Sequence, residues 1–189
     1  MLSGADPELR EKLQLKTPQD YEYLRKSHCF HLPSTDDAEE FVTTKHCMKT
    51  IGIDETRQER VFHLLAAVLH IGNLEFAMEN EACHIQGEAS AAAMELIANL
   101  LRVSTDALSQ ALLTRQLYVG GKVIVQQQHL DQVIDKRDAL AKGIYSSLFL
   151  WLVSELNRTI SRPSEKWGFI GVLDIYGFEK FEWNTFEQL

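Results

Sequence analysis

The chain has 189 residues, which is enough for one hydrophobic core or for one slice of a larger domain. Hydrophobic residues make up 45% of it and charged residues 24%, a balance that is typical of soluble globular proteins and excludes a disordered chain. The formal net charge of -8 argues against a general affinity for nucleic acid or anionic lipid, although it leaves room for a local basic patch.

The cysteines and the apolar runs indicate the compartment. The three cysteines are odd in number and form no C-x-x-C pair, which favours free thiols in a reducing environment. A largely polar stretch begins at Ser3, so no signal peptide is predicted. The longest apolar runs, 64–69 and 148–153, are too short to span a bilayer. We therefore expect a cytoplasmic protein without membrane insertion and without a nucleic acid partner.

Helix signals dominate the chain up to residue 113. Asp6, Asp36 and Asp54 are each placed to accept hydrogen bonds from the free N–H groups of a following helix. The helix after Asp54 should end at Gly72, because glycine is the usual stop signal. An alanine-rich helix is predicted from about Ser90, followed by a shorter one.

A cap and a long periodic stretch predict the remaining helices. Ser104 is the predicted cap of the short helix, and apolar residues keep a helical period from residue 130 to about 157. Within that long helix we interpret the stripe 148–153 as core. We expect Arg137 to lie at the edge of the buried face or in an ion pair, without a catalytic role.

Two segments have the pattern of β-structure. Residues 117–125 place two β-rich runs about Gly120 and Gly121, which predicts a β-hairpin. Residues 168–175 form a nearly continuous apolar run, which is typical of a strand buried on both faces of a parallel sheet. Since no comparable strand precedes it, we expect its neighbours in the sheet to come from sequence that this chain does not contain.

The predicted strand ends in the pattern D-x-x-G, formed by Asp174 and Gly177. In P-loop nucleotidases the carboxylate of this pattern lies near Mg²⁺, usually through a water, and the glycine lets its N–H approach the γ-phosphate. On its own the pattern equally fits a carboxylate that caps a strand end and a simple turn glycine.

Four blocks of the chain resemble the myosin motor domain. Residues 171–189, GVLDIYGFEKFEWNTFEQL, are similar to switch II and the start of the relay helix. Residues 2–15, 48–73 and 137–153 are similar, in turn, to the segment after switch I, to the next helical block and to the long helix before the switch II strand. The blocks follow the order of the family and cover nearly the whole chain.

The resemblance implies a mainly helical part of an α/β P-loop motor. Residues 1–158 would form the helical upper actin-binding subdomain, including the hairpin 117–125. Residues 168–180 would form one central-sheet strand with switch II, and residues 181–189 would begin the relay helix. We expect such a part to be marginally stable by itself, because the strand lacks its neighbours.

The resemblance also implies roles at the nucleotide. Gly177 would donate its N–H to the γ-phosphate, and Asp174 would lie in the second coordination shell of Mg²⁺. Glu179 would pair with a switch I arginine that lies outside this chain. Gly177 and Glu179 are therefore the candidate catalytic residues, and Asp174 and Gly177 are the candidate residues for binding Mg-ATP.

By the same resemblance, the hairpin would be a loop at the upper edge of the actin-binding cleft, with Tyr118 and Lys122 as candidate actin contacts. In many myosins the residue sixteen positions before the Asp of the DALAK motif is acidic or phosphorylatable and tunes actin affinity. Counting back from Asp138 gives Lys122. Either the loop differs in length or this motor lacks the acidic control. A lysine at a hairpin tip is also commonly no more than a solvated residue.

The implied function is that of a motor of the actin cytoskeleton, which couples Mg-ATP hydrolysis to movement along actin filaments. Light chains or calmodulin would bind only through a neck outside this chain. The chain has no G-x-x-x-x-G-K-[ST] loop, so we expect no ATP hydrolysis by it alone. The alternative is a non-enzymatic actin-binding or interaction module from a truncated motor. A GTPase-like switch is disfavoured, because no N-K-x-D motif is present.

Overall fold

The computed structural model describes residues 1–80, 82–161 and 170–173, and within these ranges the chain is mainly helical. A 3-10 turn at Pro18–Asp20 precedes the second helix. The helices are α1 (Pro7–Lys12), α2 (Glu22–Arg25), α3 (Asp37–Thr50), α4 (Glu55–Gly72), α5 (Gly87–Leu101), α6 (Thr105–Leu113) and α7 (Leu130–Ile160). The strands are β1 (Phe76–Glu79), β2 (Ala82–Ile85), β3 (Thr114–Val119) and β4 (Lys122–Gln127).

The predicted aspartate caps are confirmed. The Asp6 side chain accepts a hydrogen bond from the N–H of Leu9 at 2.8 Å, and the Asp54 side chain accepts one from Arg57 at 2.9 Å. Asp36 caps α3 in the same way. Each bond satisfies a donor that the first helical turn would otherwise leave free, which is why the three helices begin where they do.

The start of α5 differs from the prediction, whereas the cap of α6 agrees with it. Ser104 accepts a hydrogen bond from the N–H of Ala107 at 3.1 Å, as expected of a cap. The alanine-rich helix, however, begins at Gly87, and Ser90 lies buried inside its first turn. The hydroxyl of Ser90 accepts a hydrogen bond from the N–H of Glu75 at 3.1 Å. Ser90 therefore ties α5 to the chain before β1, and this tertiary role overrides its preference for a cap.

The pair of strands β1 and β2 was not predicted. The two strands run antiparallel, with Phe76 opposite Ile85 and Glu79 opposite Ala82. Each strand has only four residues, so neither shows enough alternation to be recognised from sequence. Phe76 and Cys83 are buried, and they attach this hairpin to the core.

Two clusters of buried side chains form the core, and α4 contributes to both. The first cluster involves the segments on both sides of α1, α3, the middle of α4, and one residue each of α5 and α7. The second involves the end of α4, strands β1 and β2, α5, α6 and the N-terminal half of α7. Each fully buried aliphatic side chain stabilises the fold by about 1.5–3 kcal/mol. The largest fully buried aliphatic and Met side chains are Leu13, Ile53, Ile71, Leu74, Met94, Ile97, Leu112 and Val133.

The long helix α7 buries one side only. Val133, Ala141 and Leu148 are its buried residues, and they lie at helical spacing along the side that faces the core. The prediction that the whole stripe 148–153 is core is wrong, because Leu150 is 64% exposed. Consecutive residues on a helix point about 100° apart, so a run of six cannot all face one neighbour.

By length and composition alone, α7 is also the one helix among the described residues that could cross a membrane. Only 11% of its most apolar window is buried. The buried side of α7 nevertheless contributes to both core clusters, as a helix of a globular domain does. We therefore interpret its exposed apolar residues as an uncovered side of a domain helix.

The predicted central strand is described only at residues 170–173, where the chain forms no strand. Ile170, Val172 and Leu173 are 101%, 88% and 81% exposed. A central strand needs neighbours on both edges to pair its N–H and C=O groups, and the described residues offer none here. The other residues of the predicted strand lie outside the described ranges.

A polar cluster joins α2 to α7 and to the end of α4. The Arg137 side chain lies 2.8 Å from an Asp138 carboxylate oxygen and donates to the carbonyl of Leu74 at 3.0 Å. The Tyr23 hydroxyl donates to the same Asp138 oxygen at 2.6 Å. The Tyr23 ring also lies so close to Gly72 that a Cβ there would approach it to 2.8 Å. The prediction of an ion pair for Arg137 is confirmed.

Burial and charge shift the pKa values in this cluster. Burial raises the pKa of Tyr23, and the hydrogen bond to Asp138 and the negative charge of that carboxylate raise it further. Burial opposes the ionisation of Asp138, but the hydrogen bonds from Arg137 and Tyr23 outweigh it and hold the pKa below its usual range. The cluster is therefore an ionised Arg137–Asp138 pair that a neutral Tyr23 stabilises by a hydrogen bond. We interpret its role as structural.

His70 is a buried histidine on α4. Its ring N–H donates to the carbonyl oxygen of Leu13 at 2.9 Å. The His70 and Tyr21 rings pack edge-on, with 5.6 Å between their centroids. Burial lowers the pKa of His70, the hydrogen bond to Leu13 raises it, and the charge of Lys16 lowers it, with a net decrease. The folded chain therefore favours the neutral imidazole.

Removing the Tyr23 hydroxyl should destabilise the chain. Tyr23→Phe loses a hydrogen bond to an ionised carboxylate in a half-buried site, and we expect the free energy of unfolding to fall by about 1–2 kcal/mol. Urea unfolding followed by circular dichroism measures the change. Tyr145→Phe on the exposed side of α7 is the control and should alter the value by less than about 0.5 kcal/mol. Equal effects of the two variants would contradict a stabilising role of the hydrogen bond from Tyr23 to Asp138.

The stability of the chain should depend on pH through His70. Because the folded pKa lies below the unfolded value of about 6.5, this stabilisation is complete above that pH and is lost as the pH falls towards the folded pKa. We expect the melting temperature of the chain to fall between pH 7.5 and 5.5, and to fall less in His70→Gln. His84→Gln, at an exposed position, should keep the dependence of the wild type. An unchanged dependence in His70→Gln would show that another group titrates.

Candidate functional site

The predicted site residues fall into two groups. Asp174, Gly177 and Glu179 lie outside the described residues, so their predicted roles stay predictions. Tyr118 and Lys122 are described, and both lie on the hairpin formed by β3 and β4. This hairpin is therefore the candidate site whose geometry can be described.

The hairpin itself is confirmed and is longer than predicted. The strands pair antiparallel from Thr114 opposite Gln127 to Val119 opposite Lys122. Gly120 and Gly121 form the connection, with φ of 57° and 77°. Positive φ at both positions is the requirement of a tight two-residue turn with the twist of the strands, and it strains any residue with a Cβ. The glycine pair thus fixes the register of the hairpin.

The base of the hairpin is held by α6 and α7. The Thr114 hydroxyl donates to the carbonyl of Gln110 at 2.8 Å. The Lys136 ammonium donates to the Thr114 carbonyl at 2.6 Å and to the Gln128 side chain at 2.7 Å. Burial lowers the pKa of Lys136, and the charge of Arg115 lowers it further. A lysine of α7 therefore fixes both ends of the hairpin.

Beyond this base the hairpin stands exposed. Every residue of β4 is exposed, and Tyr118 of β3 is 78% exposed. Val119, Val123, Ile124 and Val125 are 58%, 52%, 48% and 59% exposed. Several exposed aliphatic and aromatic side chains on one short hairpin are typical of a surface that binds another molecule.

The two faces of the hairpin differ. Residues directly opposite each other in an antiparallel pair point to the same side, and successive residues alternate. Lys122 is opposite Val119 and Tyr118 is opposite Val123, so Lys122 and Tyr118 point to opposite sides. We call the two sides the lysine face and the tyrosine face. The lysine face consists of Arg115, Leu117, Val119, Lys122, Ile124 and Gln126, and the tyrosine face of Thr114, Gln116, Tyr118, Val123, Val125 and Gln127.

The charge of the hairpin is opposite to that of the whole chain. Residues 107–130 contain no Asp or Glu, while the chain as a whole carries a net charge of -8. Arg115 and Lys122 are the two fully charged residues of this segment, and both lie on the lysine face. The local basic patch that composition allowed is therefore found here. Sequence patterns could have located it, because a long gap between acidic residues is visible without a structure.

A second surface feature is an apolar groove of about 800 Å³ between α4 and α7. At one end Arg57 pairs with Glu155 at 2.9 Å and lies 5.2 Å from the centre of the Trp151 ring. The guanidinium is thus occupied by a carboxylate and a ring. The remaining lining is mainly aliphatic, including Val61, Leu64, Leu140, Ile144 and Leu148.

Comparison with known proteins identifies the family. The model of the myosin head (motor domain) matches residues 1–189. Over the whole chain, the sequence is 40% identical to Myosin-17 and 41% identical to Myosin-1, both of Arabidopsis thaliana, and 39% identical to the Myosin-I heavy chain of Dictyostelium discoideum. The chain spans only 12%, 16% and 8% of the lengths of these relatives. Because the family model covers the chain from end to end, the chain belongs to the myosin head (motor domain) family.

Proposed function

We propose that this chain is part of an actin-based motor of the cytoplasmic cytoskeleton, which couples Mg-ATP hydrolysis to movement along actin filaments. The observation that carries the proposal is the match of the myosin head model to all of residues 1–189. The three relatives, which are all myosins, support it. Light chains or calmodulin would be partners only through a neck outside this chain.

At the nucleotide, the proposal assigns roles to three residues. Gly177 would hold the γ-phosphate through its N–H, and Asp174 would hold the Mg²⁺ through a water. A carboxylate and a backbone N–H suit a magnesium–phosphate group, since Mg²⁺ prefers oxygen ligands and often keeps its waters. Bound Mg²⁺ would neutralise charge on the phosphates. Glu179 would pair with an arginine of switch I, which would help to close the site around the nucleotide.

The hairpin is the proposed contact with the actin filament. Five of its large hydrophobic side chains are exposed, and it carries positive charge on a negatively charged chain. Both features favour binding to an acidic protein surface. Tyr118 and Lys122 are the proposed contacts, one on each face.

The second candidate function is a non-enzymatic module that binds filaments, formed by this chain alone. The observation that favours it is that the whole hairpin lies within this chain. The length of the polypeptide in cells separates the two proposals. An antibody against residues 90–119 should detect a band several times larger than 21.6 kDa if the chain is part of a motor. A band near 21.6 kDa would favour the module instead.

The purified 189-residue chain should not turn over ATP. Its sequence contains no G-x-x-x-x-G-K-[ST] loop to hold the β- and γ-phosphates. We expect phosphate release from Mg-ATP at the level of the buffer, with or without actin filaments. A complete myosin motor domain provides the positive control. Saturable ATP hydrolysis that follows the chain through purification would contradict this expectation.

The purified chain should bind actin filaments without ATP dependence. We expect it to sediment with filaments at low salt and to be released as the salt concentration rises, because positive residues of the hairpin take part. Addition of Mg-ATP should not change the bound fraction. If no chain sediments at any salt concentration, the hairpin is not a filament contact in this polypeptide.

A further inference from the structure

The two faces of the β3–β4 hairpin cannot both lie against one flat partner. The proposed function leaves open which face docks, since it assigns a contact to each. We propose that the lysine face docks on the filament, against an apolar patch of the partner that is bordered by carboxylates. This inference rests on the proposed actin contact and adds the face, the residues and the chemistry of the partner surface.

Charge separates the two faces. Arg115 and Lys122 both lie on the lysine face, whereas the tyrosine face has no charged residue. All 27 acidic residues of the chain lie outside residues 107–130. An acidic surface that approaches the chain is therefore repelled by the net charge of the chain and attracted by the lysine face.

The arrangement of the lysine face matches that of a protein interface. Arg115 lies near the base, and Lys122 lies at the tip opposite Val119. At ~3.3 Å per residue along β3, the two positions are about 13 Å apart. Leu117 and Ile124 lie between them on the same face, and Val119 lies beside Lys122. An apolar centre supplies affinity and a charged border supplies orientation and fast association.

The backbone geometry favours docking of the hairpin as a preformed unit. An isolated two-stranded hairpin is marginally stable in water. Here Gly120 and Gly121 fix the turn, and Lys136 fixes both ends of the hairpin through Thr114 and Gln128. A partner would therefore bind a surface whose ordering has already been achieved, which reduces the entropic cost of binding.

The positive charge of the lysine face is also fixed. None of its six residues carries a hydroxyl group, so phosphorylation cannot reverse its charge directly. Filament binding through this face should therefore not be controlled by phosphorylation of the face itself. The tyrosine of the hairpin lies on the other side.

Matched substitutions on the two faces test the proposal. Val119→Thr on the lysine face and Val123→Thr on the tyrosine face each replace one methyl group by a hydroxyl, at positions 58% and 52% exposed. In sedimentation of the 189-residue chain with actin filaments, Val119→Thr should weaken binding about fourfold, and Val123→Thr by less than about twofold. Lys122→Glu should weaken it about tenfold or more and reduce its salt dependence. Circular dichroism confirms that each variant is folded.

The possible outcomes are distinct. If the wild-type chain binds filaments but Val123→Thr weakens binding as much as Val119→Thr, or Lys122→Glu has no effect, the proposed face is wrong and the filament contact stands. If the wild-type chain does not bind at all, the hairpin is not a filament contact in this polypeptide, and this inference fails with that contact. A dimer that Val119→Thr and Lys122→Glu dissociate, in a chain without filament binding, would assign the face to a second copy and overturn the proposal.

Discussion

The half-buried ion pair of Arg137 and Asp138 is the constraint on which the arrangement of the described residues depends. Its guanidinium also holds the carbonyl of Leu74, and its carboxylate accepts from Tyr23, so one charged pair joins three segments that are distant in sequence. Removing one partner would leave a poorly solvated charge, which is far more costly than the pair is stabilising. The main effect of the pair is therefore to fix the position of α7, and its net contribution to the stability of the fold is smaller.

The position of α7 in turn determines what the hairpin can do. Lys136 precedes the ion pair by one residue and holds the Thr114 carbonyl and the Gln128 side chain at the base of the hairpin. The same helix buries Val133, Ala141 and Leu148 on one side and leaves apolar residues such as Leu150 exposed. One helix therefore connects the core, the ion pair and the candidate filament contact, and retains an uncovered side that is consistent with a part of a larger motor head.

Local signals predicted much of this fold, and long-range contacts account for the rest. The caps Asp6, Asp54 and Ser104 act within three residues, and the glycine pair acts within one turn, so the sequence pattern was sufficient for both. Three features were not predicted: the role of Ser90, the pairing of β1 with β2, and the exposure of part of the stripe 148–153. Each depends on which distant segment packs nearby, and the periodicity of the sequence does not contain that information. At the site, the hairpin and its residues were predicted, but the opposite orientation of Tyr118 and Lys122 required the register. The nucleotide residues lie outside the described ranges and remain assigned by family resemblance.

Hydrogen–deuterium exchange of the chain, with and without actin filaments, tests whether the hairpin is the filament contact. We expect filaments to slow amide exchange in the hairpin, residues 114–127, and to leave the exchange of α4 and of the α4–α7 groove unchanged. Slowed exchange at the groove, with none at the hairpin, would contradict the account and place the contact with actin on the other surface of α7.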